Sequence, residues 1–459
     1  MKLALGEVAR ILAASGEFDS NPLAQGYSID SRTLRANELF FAVKGNRLDG
    51  HDFVEQALAN GAVGAVVRRD QLQRYPNRAG LLAVDETLTA MQALATSVRR
   101  QWGKRLVGVT GSMGKTTTKD AIAHVLETKY HVYRTQGNFN NQFGLPLNLL
   151  QLEPEHDMAV IEMGMSHAGE IAVLAKIAEP DLGVVTNVAP VHLENFASLD
   201  GVAQAKCELI DALAANGTAI LNADDERVAA MRRGFAGRVV SFGIRAPADV
   251  RGEAIESLGP SGSQFDLVMS GQRTRVTIPL LGRHNIYNAL AAAAVASASG
   301  VSMHDIAEAL AQLQATDKRG QVIEVGGVHV LNDCYNSSPQ ALMAAVDTLA
   351  DIPASRRIVV AGEMLELGQE SERLHRDCGR YIAAEDVSAL LGVRGQARWM
   401  VEAAQQAGLS SEFVVTPEDA AEWLALNTRA GDWVLLKASR GVKLERALQE
   451  WQRAAKAPK

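Results

Sequence analysis

The chain has little that would staple or anchor it. Only three cysteines occur in 459 residues, Cys207, Cys334 and Cys378. They lie far apart without a C-x-x-C pair, which argues against a disulfide framework or a structural zinc site and suggests a reducing, cytoplasmic setting. No run reaches the roughly 18 apolar residues that a membrane-crossing helix needs; the alanine-rich stretch Ala289 to Ala298 is short and broken by Ser297. Met1 to Glu7 carries an acid inside a short apolar run, unlike a signal peptide. Basic blocks are missing and the net charge is −7, so nothing offers an electrostatic footprint for nucleic acid. Low-complexity tracts and short-period repeats are also absent, which disfavours a solenoid.

What remains is a soluble α/β chain long enough for about three domains, each able to bury its own core. Residues 1–85 read as a small α/β unit, with a helix from Leu5 to Leu12, another around Phe53 to Ala59 and a strand from Val63 to Val67. Residues 86–317 alternate strands (Leu106 to Thr110, Met158 to Met163, Leu182 to Asn187, Thr218 to Asn222) with helices. That alternation predicts a doubly wound, mostly parallel sheet with ligands at the carboxyl ends of its strands. Short alternating runs between Val250 and Leu281 predict an antiparallel excursion. Residues 318–459 repeat the strand–helix pattern, at Val328 to Asp333, Arg357 to Ala361, Ala389 to Leu391 and Trp433 to Lys437, and read as a Rossmann-like domain.

The most informative stretch is Gly108 to Thr118, Gly-Val-Thr-Gly-Ser-Met-Gly-Lys-Thr-Thr-Thr, between a strand-like run and a helical one. Glycines let a backbone approach a polyphosphate, the first N–H groups of a helix point at it, Lys115 adds a charge, and a Thr116 or Thr117 hydroxyl suits Mg²⁺. Val109 stands where a Walker A loop has its first glycine. The reading is therefore a variant phosphate loop for ATP or GTP.

Five further clusters each carry two readings. Gly137 to Pro146, with Asn138, Asn140 and Asn141, is dense in amides that suit carboxylate or phosphoryl oxygens but equally make turns. Glu162 ends an apolar strand, where it can hold Mg²⁺ or simply face water. His192, in Thr186 to Glu194, is a metal ligand or a structural histidine. Lys206 shares a helical stripe with Val202, Ala203, Leu209 and Ile210, so it either snorkels or has its charge compensated. Asn285 and Asn288, three apart in Gly282 to Leu290, share a helix face and either read a base or ribose or belong to an ordinary helix start.

Together and in this order the clusters resemble the Mur ligase superfamily over essentially the whole chain. The matching runs are Thr110 to Thr117 (T-G-x-x-G-K-T-T), Gly137 to Pro146 (G-N-x-N-N-x-x-G-x-P), Glu162-Met163-Gly164, Thr186 to Glu194 and Gly282 to Asn288. Within it the chain is most similar to the branch that adds D-alanyl-D-alanine to UDP-N-acetylmuramoyl-tripeptide for peptidoglycan. That similarity is carried by Asp30-Ser31-Arg32 with Phe40 to Phe53, by Asn332 to Pro339, by Gly362 to Gly368 and by Lys437 to Gly441. The D-N-P-R run of the diaminopimelate-adding relative is absent. Cys207 and Glu363 stand where the family usually has glycine and aspartate.

The resemblance implies an ATP- and Mg²⁺-dependent ligase that phosphorylates the tripeptide carboxylate to an acyl phosphate and aminolyses it. It assigns Gly111, Ser112, Met113, Gly114, Lys115, Thr116 and Thr117 to the phosphates, and Thr116, Glu162, His192 and a carbamylated Lys206 to metal. Lys115, Glu162, His192 and Lys206 become the catalytic set. Asn285, Asn288, Asp333, Tyr335 and Asn336 would hold the nucleotide. Asp30, Ser31, Arg32, Lys44, Gly45, Asn138, Asn140 and Asn141 would hold the UDP substrate. The protein is taken as a monomer. The rivals are a diaminopimelate- or lysine-adding relative, folylpolyglutamate synthase, and a P-loop ATPase that uses hydrolysis only to change shape.

Overall fold

The computed structural model describes residues 1–456 apart from Asn46, Pro76, His192, Leu193 and Ala197. It contains three main sheets. The first is parallel and four-stranded, in the order Gly26–Ser28, Glu38–Phe41, Gly64–Arg68, Leu81–Val84. The helix Leu5–Leu12 covers it with Leu5, Val8 and Ala9 inward. A second helix, Thr87–Trp102, starts on the Glu86 carboxylate, which accepts the Thr89 N–H, and ends on Gly103 at φ 64. Its apolar stripe lies in one continuous core that includes Val8 and Phe41 on one side and Leu145, Ile161 and Ile171 on the other. Each such leucine or isoleucine contributes about 1.5–3 kcal/mol on burial, so the N-terminal unit is held against the central one by packing.

The central sheet has nine strands. Seven run parallel, and Ser263–Met269 and Gln272–Ile278 add antiparallel strands at one edge, as the alternating pattern predicts. The strand Arg105–Thr110 lies between Met158–Glu162 and Leu182–Val185. Thr110, Glu162 and Thr186 therefore leave the sheet side by side at a point where the chain order reverses. Open α/β sheets bind ligands at such points. The helix Lys115–Leu126 packs on the helix Arg283–Ala298. The latter is buried almost all round, which accounts for its run of alanines, since small side chains let the two backbones approach.

The C-terminal sheet has the order Gln321–Val325, Val328–Asn332, Trp433–Lys437, Arg357–Gly362, Ala389–Val393, Ser411–Val414, parallel except for the first pair. Separate apolar clusters cover its two faces. Among the described residues no helix is long and apolar enough to cross a membrane.

Candidate active site

The phosphate loop is built before anything binds to it. Gly111 sits at φ 148, and a Cβ there would lie 1.8 Å from Thr186 Oγ1. Gly114 caps the helix at φ 78, where a Cβ would lie 2.7 Å from Asn288 Oδ1. The neighbouring strand end laces the loop down. Thr186 Oγ1 donates to the Met113 carbonyl at 2.6 Å, Asn187 Oδ1 accepts the Met113 N–H at 2.9 Å, and the Ser112 N–H donates to the Asn187 carbonyl at 2.9 Å. Lys115 folds back over the loop, its Nζ 2.8 Å from the Gly111 carbonyl. Burial holds its ammonium below the ordinary lysine range, with a smaller opposing pull from Glu162.

Replacing Gly114 with alanine should destabilise the folded protein by roughly 1–3 kcal/mol, the cost of a non-glycine residue in a left-handed conformation that the loop already holds without ligand. Chemical denaturation reads it, and an unchanged stability would show that the loop tolerates a side chain there.

Glu162, 2 % exposed, joins the loop to the amide-rich segment. Its Oε2 accepts from Thr116 Oγ1 at 2.7 Å and its Oε1 from Asn140 Nδ2 at 2.7 Å, while Asn140 also donates to Asn138 Oδ1. Asn141 does something else: its Oδ1 accepts the N–H groups of Phe143 and Gly144, fixing the turn that leads into the short helix Gly144–Leu149. Asn285 and Asn288 are buried and bonded in series. Thr118 Oγ1 donates to Asn288 Oδ1, Asn288 Nδ2 to Asn285 Oδ1, and Asn285 Nδ2 to the Leu281 carbonyl. This series braces the phosphate-loop helix against its neighbour, and both asparagines also line the cleft.

The third domain supplies the opposite wall of that cleft, which encloses about 1560 Å³. Lys437 Nζ is bonded to Asp333 Oδ2 and reaches the Asn336 carbonyl at 3.2 Å. The Tyr335 ring carries the Arg319 guanidinium 4.0 Å from its centroid and that of Arg440 at 5.7 Å. The walls meet where Ser338 Oγ stands 3.5 Å from Met113 Sδ.

Lys206, 2 % exposed, lies on the helix Leu199–Asp211. Burial, reinforced by repulsion from Lys115, drives its pKa well below the lysine range. His192 lies outside the described residues. Asp30, Ser31, Arg32, Lys44 and Gly45 are not part of the cleft. They form a separate surface of the first domain, where Arg32 grips Asp30 at 2.9 and 2.7 Å and holds its carboxyl below the usual range. Ser31 Oγ donates to Gln56 Oε1, and the Gly45 N–H donates to the Leu48 carbonyl.

Comparison with known proteins gives three consecutive matches. They are "Mur ligase family, catalytic domain" over residues 24–99, "Mur ligase middle domain" over 109–296 and "Mur ligase, glutamate ligase domain" over 318–440. The UDP-N-acetylmuramoyl-tripeptide–D-alanyl-D-alanine ligase of Bacillus subtilis is 34% identical across 97% of both chains. Its Escherichia coli counterpart is 38% identical across 92% of this chain and 93% of that one. The chain belongs to the Mur ligase family. A crystal structure of MurF from Acinetobacter baumannii superposes with a TM-score of 0.90 at 30% identity, covering 99% of both chains. MurF from Thermotoga maritima in complex with ADP gives 0.83 at 29%, covering 94% and 98%.

In this Mur ligase several cleft residues escape the motif reading. Asp224, just past the strand Thr218–Asn222, accepts the N–H groups of Ile244 (2.7 Å) and Ala246 (2.6 Å) and the Tyr287 hydroxyl (2.7 Å). Burial raises its pKa, but these donors outweigh it and the carboxyl stays below the ordinary range. Its signal was available, as an acid at the carboxyl end of a parallel strand. Arg319 gave none and Arg440 showed only as a member of the run Lys437 to Gly441, because only the fold brings the two to one tyrosine.

Proposed function

We propose that the chain joins D-alanyl-D-alanine to the carboxylate of UDP-N-acetylmuramoyl-tripeptide at the expense of ATP, releasing ADP and phosphate and giving the pentapeptide precursor of peptidoglycan. The observation that carries this reading is the likeness to ligases of that name over nearly the full length, N-terminal unit included.

The cleft supplies the chemistry. A carboxylate and a γ-phosphate repel each other, so their reaction depends on positioning and on neutralised charge. Gly111 to Thr117 line the phosphates, with the N–H groups of Gly114 to Thr117 at the helix start and the Lys115 ammonium directed at them, while those of Ser112 and Met113 hold the loop to Asn187. Arg319, Lys437 and Arg440 add positive charge from the facing wall, and Asn285, Asn288, Asp333, Tyr335 and Asn336 border the nucleotide. The carboxylate oxygen attacks the γ-phosphorus and the bond to the ADP oxygen breaks, leaving an acyl phosphate. The D-alanyl-D-alanine amine then attacks the acyl carbon, loses a proton, and expels phosphate.

Thr116 and Glu162 fit Mg²⁺, since a hydroxyl and a carboxylate 2.7 Å apart are hard oxygen donors. When bound there, the ion neutralises charge developing on the phosphoryl oxygens. Lys206 is read as a carbamate. Its neutral amine adds to carbon dioxide and releases one proton, giving an anionic carbamate that would serve, with His192, to hold a second ion. The support is its burial beside Lys115 and the high cost of an uncompensated ammonium there. Asn138, Asn140 and Asn141, which all line the cleft, serve the tripeptide end. A monomer working in the cytoplasm, where UDP-linked precursors are made, completes the reading.

Asp30 to Arg32, Lys44 and Gly45 hold the uridine diphosphate. Alanine at Asp30 or Arg32 should raise the KM for the UDP substrate about tenfold, the worth of one charged hydrogen bond, and leave that for ATP unchanged. Equal effects on both would remove the first domain from substrate binding.

The test of the whole reading is to incubate the protein with ATP, Mg²⁺, D-alanyl-D-alanine and the UDP-tripeptide and to weigh the product. Turnover only with UDP-muramoyl-dipeptide plus diaminopimelate or lysine, or with folate plus glutamate, would reassign it within the family. Oxygen label in the tripeptide carboxyl must appear in the released phosphate, or the acyl phosphate is wrong.

A further inference from the structure

We propose that Lys119 is a positioning residue for the pair Thr116 and Glu162, acting through Thr135; the proposal rests on the reading of that pair as a Mg²⁺ site. Lys119 lies three residues beyond Thr116 in the helix Lys115–Leu126, yet it is only 3 % exposed. Its Nζ donates to the Thr135 carbonyl at 2.9 Å and stands 2.9 Å from Asp120 Oδ1. Thr135 is buried just beyond the strand Val132–Arg134. Its N–H donates to the Val160 carbonyl at 3.0 Å, and its Oγ1 accepts the N–H of Glu162 at 3.0 Å.

One ammonium and one threonine thus tie together three segments. The helix carries Thr116, the turn after Thr135 leads to Asn140, and the strand end carries Glu162. Confining a lysine side chain forfeits rotamer freedom, and desolvating its charge costs more. An apolar side chain would fill the space without either cost. What the ammonium adds is direction, through a charge-assisted bond to one carbonyl. That bond fixes the register between the helix and the Glu162 strand, and with it the spacing of the two oxygens offered to a cation. A purely structural role would use the same contacts but would leave metal and metal-free binding equally affected.

Calorimetric titration of ADP with and without Mg²⁺ separates the two. In Lys119→Met, metal-free ADP affinity should stay at the wild-type value, while the tightening produced by Mg²⁺ should shrink by about 10- to 100-fold, as expected when a group supporting a metal ligand is lost. Thr135→Val, which keeps the carbonyl and removes the hydroxyl, should do the same, and the double variant should lose no more than either single one. Should Lys119→Met fail to fold, Thr135→Val alone decides. Overturning results are a full Mg²⁺ increment in a folded variant, or parallel loss of both affinities. Glu162→Gln is the control: if it too keeps the full increment, the assignment of the metal pair has failed and the role of Lys119 falls with it, whereas loss there with retention in Lys119→Met and Thr135→Val sinks the positioning role alone.

Discussion

Lys206→Ala should abolish ligation and leave the protein folded. Catalytic loss of roughly 10³-fold is expected for removing a group that neutralises charge in the transition state. The stability forecast follows from the surroundings. Among the described residues no acid pairs with the Lys206 ammonium, and its pKa is driven down by burial. Truncation therefore breaks no ion pair and leaves only a cavity where the methylenes packed. A thermal melt should shift by a few degrees at most, while the rate collapses. Formate or acetate, each able to occupy the space of a carbamate's carboxylate, should restore part of the activity. Isotopically labelled carbon dioxide should give a carbamate resonance in the wild type that the variant lacks. A fully active alanine variant would return Lys206 to the role of a core lysine with a reluctant charge.

Periodicity is where the chain was most legible: it turns Lys206 inward, while the carbamate is what the family resemblance implies. Of the expected stripe Val202, Ala203, Lys206, Leu209 and Ile210, all are buried except Ala203, which is half-buried. The strands through Gly108, Ile161 and Val184 show as uninterrupted apolar runs because both faces are covered. Short edge strands were missed for the complementary reason. Val132–Arg134 has three residues and Ser411–Val414 is only partly buried, so neither sets up a period. Site residues divide the same way. The phosphate loop is contiguous, so its chemistry is written in one stretch. Asn285 and Asn288 share a face as their spacing requires, but no spacing foretells that Asn288 is spent on Thr118 and Asn285, and Asn285 on Asn288 and the Leu281 carbonyl. Arg319 and Arg440 meet at Tyr335 only after the C-terminal sheet has placed the strands next to them, Gln321–Val325 just after Arg319 and Trp433–Lys437 just before Arg440. Lys119 carries no signal in the sequence, because its partner, the Thr135 carbonyl, is a backbone group.

Glu162→Gln tests the metal pair with the least disturbance to the fold. The glutamine is isosteric, and both neighbours can still be satisfied: its oxygen accepts from Asn140 Nδ2 while the Thr116 hydroxyl turns to accept from the new amide, where it now donates to Oε2 at 2.7 Å. The backbone N–H of residue 162 keeps its bond to Thr135. What vanishes is one negative charge, 2 % exposed, at the carboxyl end of the strand beside the phosphate loop. A carboxylate oxygen holds Mg²⁺ far better than a neutral amide does, and charge on the transferring phosphoryl group goes largely unneutralised without the ion. The expected fall in kcat is about 10²- to 10³-fold, or roughly 3–4 kcal/mol. The Mg²⁺ concentration for half-maximal activity should rise alongside it, and ADP affinity measured without metal should be preserved because Lys115 and the loop N–H groups are untouched. Steady-state rates across a Mg²⁺ series, paired with metal-free calorimetry, read all three quantities. A glutamine variant whose Mg²⁺ requirement is unchanged would move the ion away from Thr116 and leave Glu162 as a buried anchor for Asn140.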